Sequence, residues 1–202
     1  MTAPLELVRG ALALDPEAFR ALLAPAAADP RLGLAVVYLA GLSLALGQSV
    51  VLFAQRVSPR RFLSTLAVQA GLFLAAFLVW AVSVWWVARI GFDAARPLGD
   101  VIAVVGLAYA PQLFGALVLT PYLGGPLQAL LSVWTLLATL VAAAAVFGMT
   151  PPQAIACTGG GWLLSQLLQR TVGRPVVRAG RRVRAWVAGV APDARRRPGA
   201  RG

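Results

Sequence analysis

Residues 127–149 read LQALLSVWTLLATLVAAAAVFGM: 23 residues without one charged side chain. Hydrocarbon offers no partner for a backbone N–H or C=O, so a chain that enters it must be helical or part of a closed barrel. A helix needs ~20 apolar residues to cross a bilayer. This stretch meets that length, and uncharged apolar runs recur on both sides of it. On the N-terminal side lie 32–53, 62–87 and 101–120, and on the C-terminal side 154–168. The pattern predicts an all-α, polytopic membrane helix bundle with about five transmembrane helices and interfacial amphipathic helices at both ends.

Composition agrees with that reading. The chain has 202 residues, 59% of them hydrophobic and 12% charged, with mean hydropathy +0.78. The charged share is about half that of an average globular domain. All basic residues are Arg, and the net charge is +11 with no His. A single Cys157 excludes an internal disulfide and a cysteine metal cluster. The first thirty residues lack a basic start followed by an apolar run, so no cleavable signal peptide is expected there.

The organisation falls into three parts. Residues 1–31 form a polar N-terminal segment. Asp15-Pro16-Glu17 reads as a helix start, with Asp as cap, Pro at the first helical position and Glu at the positive end of the dipole. Phe19, Leu22 and Leu23 then share a face, which predicts a short helix lying at the headgroups. Residues 32–168 form the transmembrane domain. Its last run, 154–168, holds Gly159-Gly160-Gly161; it reads as a short fifth span, with a re-entrant segment as the alternative. Residues 170–202 carry ten Arg and one Asp. There Arg178, Arg181, Arg182 and Arg184 interleave with valines and Trp186, the pattern of an amphipathic helix on an anionic membrane surface, followed by a disordered end.

Arginine placement sets orientation. With five crossings, the C-terminal segment shares a side with the loop carrying Arg56, Arg60 and Arg61. That side is read as cytoplasmic, in the bacterial inner membrane. If the last run does not cross, both termini lie in the cytoplasm and the three-arginine loop faces out.

Chemistry-bearing residues are sparse. No acid lies within a span, which removes carboxylate pairs, proton relays and carboxylate metal sites. Asp93 and Asp100 share a loop with Arg89 and Arg96 and read as a self-neutralising surface. Gly159–Gly161 is not a phosphate loop, because no Lys follows; glycines there suit close helix approach. No residue set points to a cofactor, and the chain reads as non-enzymatic. The polar residues within spans include Gln48, Gln69, Ser83, Gln128, Thr135 and Gln166. One cluster differs from these. Pro111 cannot donate to the carbonyl of Leu107, so a kink is expected there, with Tyr109 and Gln112 flanking it. Tyr109, Pro111 and Gln112 are therefore the candidate polar cluster.

The same stretch carries a resemblance. Gly106-Leu107-Ala108-Tyr109-Ala110-Pro111-Gln112-Leu113-Phe114 is followed by Pro121, Gly124-Gly125, Trp134 and Phe147-Gly148-Met149-Thr150. Together these residues resemble the YIP-domain family, the Ypt/Rab-interacting membrane proteins, in its prokaryotic branch. Residues Arg9–Phe19 are similar to the start of many prokaryotic members. The resemblance implies five membrane helices and no known enzymatic activity. Eukaryotic relatives bind small GTPases, partners a bacterium would lack. Those relatives also place a long N-terminus in the cytosol, whereas here the long basic segment is C-terminal.

The expected function is therefore organisation of membrane proteins or anionic lipid by helix packing and the basic tail. Lipid headgroups are the nearer anions than nucleic acid for a membrane-tethered tail. The alternative is a small transporter or channel subunit with a polar path beside the proline kink. Gly41/Ala45 and Ala142–Ala145 offer small-residue faces for an unidentified membrane partner or a second copy.

Overall fold

The computed structural model describes residues 4–24, 29–48, 59–94, 96–119 and 123–171. Among them every regular element is helical. In chain order these are α1 (Pro4–Leu12), α2 (Pro16–Ala21), α3 (Pro30–Gln48), α4 (Pro59–Gly91), α5 (Leu98–Leu107), a 3-10 helix (Ala110–Leu119), α6 (Gly124–Phe147) and α7 (Pro151–Thr171).

Three helices are long and apolar enough to cross a membrane: Pro30–Gly47, Phe62–Gly91 and Gly124–Phe147. A fourth crossing is available if α5 and the 3-10 helix, bent by 41° at their break, act as one span. At ~1.5 Å per α-helical residue and ~2.0 Å per 3-10 residue, this pair reaches ~35 Å, enough for the ~30 Å hydrocarbon core. The chain is thus a membrane protein with three to four such helices. The expected fifth is corrected: α7 has 21 residues, which is long enough, but its apolar content is not. Pro151, Pro152, Gln153, the three glycines, Ser165 and Gln166 dilute its Leu and Ile.

The N-terminal segment holds two helices, and Leu7, Ala11, Phe19 and Leu22 on them are buried in the protein. Asp15 caps α2 as its sequence implies, accepting a hydrogen bond from the Glu17 amide at 2.9 Å. Gly10 lets the two helices meet, since a Cβ there would lie 2.4 Å from that of Ala18. Phe19 and Leu22 are then buried in the main core with Val101, Ala138, Ala142 and Val146. The Trp134 indole of α6 donates to the Leu12 carbonyl at 3.1 Å and ties the hairpin to the bundle.

Backbone contact at small residues sets the bundle. A Cβ on Gly33 of α3 would stand 2.6 Å from the carbonyl oxygens of Ile102 and Ala103, so α3 and α5 touch main chain to main chain. Gly47 meets the Gly115 carbonyl in the same way. Gly161 of α7 sits against Val84 of α4, where a Cβ would lie 2.9 Å from the Val84 Cα. Val84, Ala88 and Cys157 form a second small core at that contact. Such close approach matters in hydrocarbon, where helices gain from van der Waals packing and not from leaving water.

α6 is capped by Gly148, which takes φ +65°, and α7 begins three residues later at Pro151. The Gln153 side chain reaches back over the start of α7: its carbonyl oxygen accepts from the Thr150 amide at 3.0 Å and from the Thr150 hydroxyl at 2.9 Å.

Candidate functional site: a groove beside the helix break

The break starts with the α5 C-terminus. Pro111 has no amide proton for the Leu107 carbonyl and its ring crowds that carbonyl, and α5 stops at Leu107, four residues before Pro111. The Ala108 amide still bonds the Val104 carbonyl, and the Tyr109 amide turns to that of Gly106, a tighter closure. The ten residues that follow are 3-10. Runs beyond ~3–4 residues of that form are uncommon, so an outside support is expected. Ser43 of α3 supplies it. Its hydroxyl donates to the Leu113 carbonyl at 2.6 Å and accepts from the Ala116 amide at 2.8 Å, bridging one i, i+3 pair.

The three residues of the candidate cluster go to different places. Pro111 is buried within the bundle. Gln112 is also buried; its amide nitrogen donates to the Thr135 hydroxyl at 3.1 Å. Its side-chain carbonyl oxygen has no hydrogen-bond partner among the described residues. Tyr109 alone of the three lines a groove. Its ring packs edge-on against Phe73, Phe77 and Trp80 of α4, with centroids 5.8, 5.2 and 6.2 Å away.

The groove, about 670 Å³, lies between α4, α6 and α7 with Tyr109 on one wall. Small-molecule sites commonly occupy ~300–1,000 Å³. α4 lines it with the aromatic rings of Phe73, Phe77 and Trp80. α6 and α7 line it with Leu136, Leu140 and Ile155 and with hydroxyls from Ser132, Thr135 and Thr139 of α6 and Thr158 and Ser165 of α7. Among the described residues no charged side chain lines it. Ser132, Leu136, Ile155, Gly159 and Trp162 are exposed, so the groove opens sideways. Its residues stand near the middle of α4 and α6, which places it close to the bilayer midplane.

The four candidate lipid-contacting arginines, Arg178, Arg181, Arg182 and Arg184, lie outside the described residues. Asp93 and Asp100 border the α4–α5 connection, which is held by a Trp85 indole bond to the Arg96 carbonyl at 2.8 Å and by Arg89 over the Trp85 ring at 5.4 Å. Among the described residues no group of three or more His, Cys, Asp or Glu is placed to hold a metal. Sequence reasoning missed the aromatic wall and most of the hydroxyl wall. A signal for the latter existed: Ser132, Thr135 and Thr139 recur at three- and four-residue spacing, one helical face. The pairing of that face with Thr158 and Ser165 depends on how α6 and α7 pack, which no local pattern encodes.

No family model, curated protein or solved structure matches the chain.

Proposed function

We infer that the chain is a non-enzymatic integral membrane protein of the YIP-domain type. It organises membrane proteins or anionic lipid through its helix faces and its basic C-terminal segment, in a bacterial inner membrane with that segment on the cytoplasmic side. The observation that carries this reading is the charge distribution. Ten of the eighteen arginines lie in residues 170–202, against a single acid, while the runs 32–53, 62–87, 101–120 and 127–149 carry no charge. Each such residue near an anionic leaflet contributes ~1 kcal/mol. The test is extraction in native lipid discs with mass spectrometry of copurifying lipid and protein. Enrichment of anionic lipid or a stoichiometric partner, lost when Arg178, Arg181, Arg182 and Arg184 are replaced by Gln, supports the reading. Bulk lipid composition and no partner in either protein would refute it.

A second reading, a small transporter or channel subunit, is favoured by the helix break beside a midplane groove, an arrangement transporters use for substrate. Proteoliposome flux assays on Pro111→Ala and Gln112→Leu test it; equal flux through protein-free liposomes would refute it.

A further inference from the structure

We propose that the groove between α4, α6 and α7 binds a neutral membrane lipid bearing a free hydroxyl, such as a diacylglycerol, with its head on the hydroxyl wall and its hydrocarbon along the aromatic wall.

The argument begins with proton counting. A Ser or Thr hydroxyl has one proton and two lone pairs. In this wall each proton is already committed to the residue's own helix. Thr139 donates to the Thr135 carbonyl at 2.7 Å, Thr158 to Ala154 at 2.7 Å, Ser165 to Trp162 at 2.8 Å and Ser132 to Gln128 at 2.8 Å. Thr135 donates to the Leu131 carbonyl at 2.8 Å and also accepts from Gln112. The wall therefore offers acceptor oxygens and no hydroxyl protons. Tyr109 also lines the groove, and its phenol is a donor as well as an acceptor; the Trp80 and Trp162 indoles and the Gln166 amide add N–H donors to the lining. A ligand that both gives and takes a hydrogen bond satisfies both sides, and an alcohol does so with one group.

Charge narrows the class. Among the described residues the lining holds no acid and no base. A phosphate or carboxylate would face acceptor oxygens with no cation beside it, and an ammonium would have no counter-ion. An unpaired charge at this depth is disfavoured in either case. Location narrows it further. A groove opening sideways near mid-bilayer is reached from the hydrocarbon, where a neutral lipid alcohol travels and a charged headgroup does not.

Gly159 supplies a clean probe of occupancy. It lines the groove, and a Cβ built there meets nothing within 4 Å. The Cβ of Gly159→Leu thus enters open space, and the rest of the side chain occupies room that a ligand would need. Thr139→Val removes an acceptor oxygen at nearly constant shape.

The full chain, in phosphatidylcholine discs, is photolabelled with a diazirine-bearing diacylglycerol, and the labelled peptides are mapped. Label is expected on the segments containing 132–140 and 155–166. Unlabelled diacylglycerol should compete about tenfold better than its O-methyl ether, the change expected from losing one donated hydrogen bond. Phosphatidic acid and a long-chain amine should compete no better than the ether. Gly159→Leu should abolish the label while its melting temperature in detergent holds. Should that variant not fold, Thr139→Val should erase the tenfold preference. Equal competition by the ether, superior competition by the acid or the amine, or full labelling of Gly159→Leu would overturn the proposal. Binding here requires the bundle to be in the bilayer but not the basic segment, so truncation after Thr171 should leave the label intact. Loss of anionic-lipid enrichment on truncation with labelling retained separates the two readings.

Discussion

Replacing Gly33 by Ala and Gly159 by Ala makes the same chemical change in two helices and should move stability in opposite directions. Gly within a helix costs ~1 kcal/mol relative to Ala, so both variants start with that gain. At Gly159 nothing lies within 4 Å of the new Cβ, and the gain stands. At Gly33 the new Cβ would lie 2.6 Å from two carbonyl oxygens and 2.9 Å from the Ala103 Cα, all backbone atoms of α5. A real Cβ essentially never comes within 3.0 Å of a neighbour, so the helices must part by at least about 0.4 Å. A gap of ~0.5–1 Å forfeits a quarter to a half of each van der Waals contact across it. The seam so opened includes Val36 and Val37 of α3 and Val101, Val104 and Val105 of α5, all buried. Overpacking of this kind costs ~1–3 kcal/mol, which exceeds the propensity gain for all but the mildest case. Gly33→Ala should therefore lower the thermal midpoint in detergent by several degrees, at ~2–4 °C per kcal/mol for a chain of this size, while Gly159→Ala should raise it. A Gly33→Ala protein as stable as the parent, or a Gly159→Ala protein destabilised equally, would refute the main-chain contact between α3 and α5.

Three other substitutions probe separate features. Ser43→Ala removes the hydroxyl that bridges Leu113 and Ala116; stranding two backbone groups should cost ~2 kcal/mol or more, read as a lower thermal midpoint. Gln112→Met deletes one hydrogen bond, of a kind that contributes ~0.6 kcal/mol in membranes, and also a buried carbonyl oxygen with no partner among the described residues. Stability should hold or rise by ~1 kcal/mol, and a large loss would show that the oxygen has a partner the bundle supplies. Trp134→Phe breaks the indole bond to the Leu12 carbonyl; limited proteolysis should then cut faster between α1 and α2 with the bundle core intact.

The groove shows why some of the site was legible and some was not. Tyr109 and Gln112 stood out because a proline in an apolar run implies freed backbone groups, a strictly local inference. Their separation into a groove residue and a buried one follows from packing: Tyr109 precedes the 3-10 helix and meets the aromatic rings of α4, whereas Gln112 lies within that helix and reaches Thr135 of α6. The 3-10 helix is held by Ser43, seventy residues from Leu113. The N-terminal segment was legible as a helix start, because capping is local. That Phe19 joins a core with Ala138, Ala142 and Val146 of α6 was not, because an apolar face does not name what covers it.

The same division holds for the chain as a whole. Sequence alone determined that this is a helical membrane protein: uncharged apolar runs of about twenty residues leave the backbone no other way to satisfy its hydrogen bonds in hydrocarbon. It also located the break near Pro111 and the concentration of arginine after the bundle. Only the tertiary structure decided which runs are apolar enough to count as crossings once helix bounds are set, and which glycines touch main chain. It alone brought the hydroxyls of α6 and α7 to one wall. The physical reason is range. Hydropathy, caps and proline act within a few residues, whereas a groove is a property of surfaces that meet only after distant helices have chosen their neighbours.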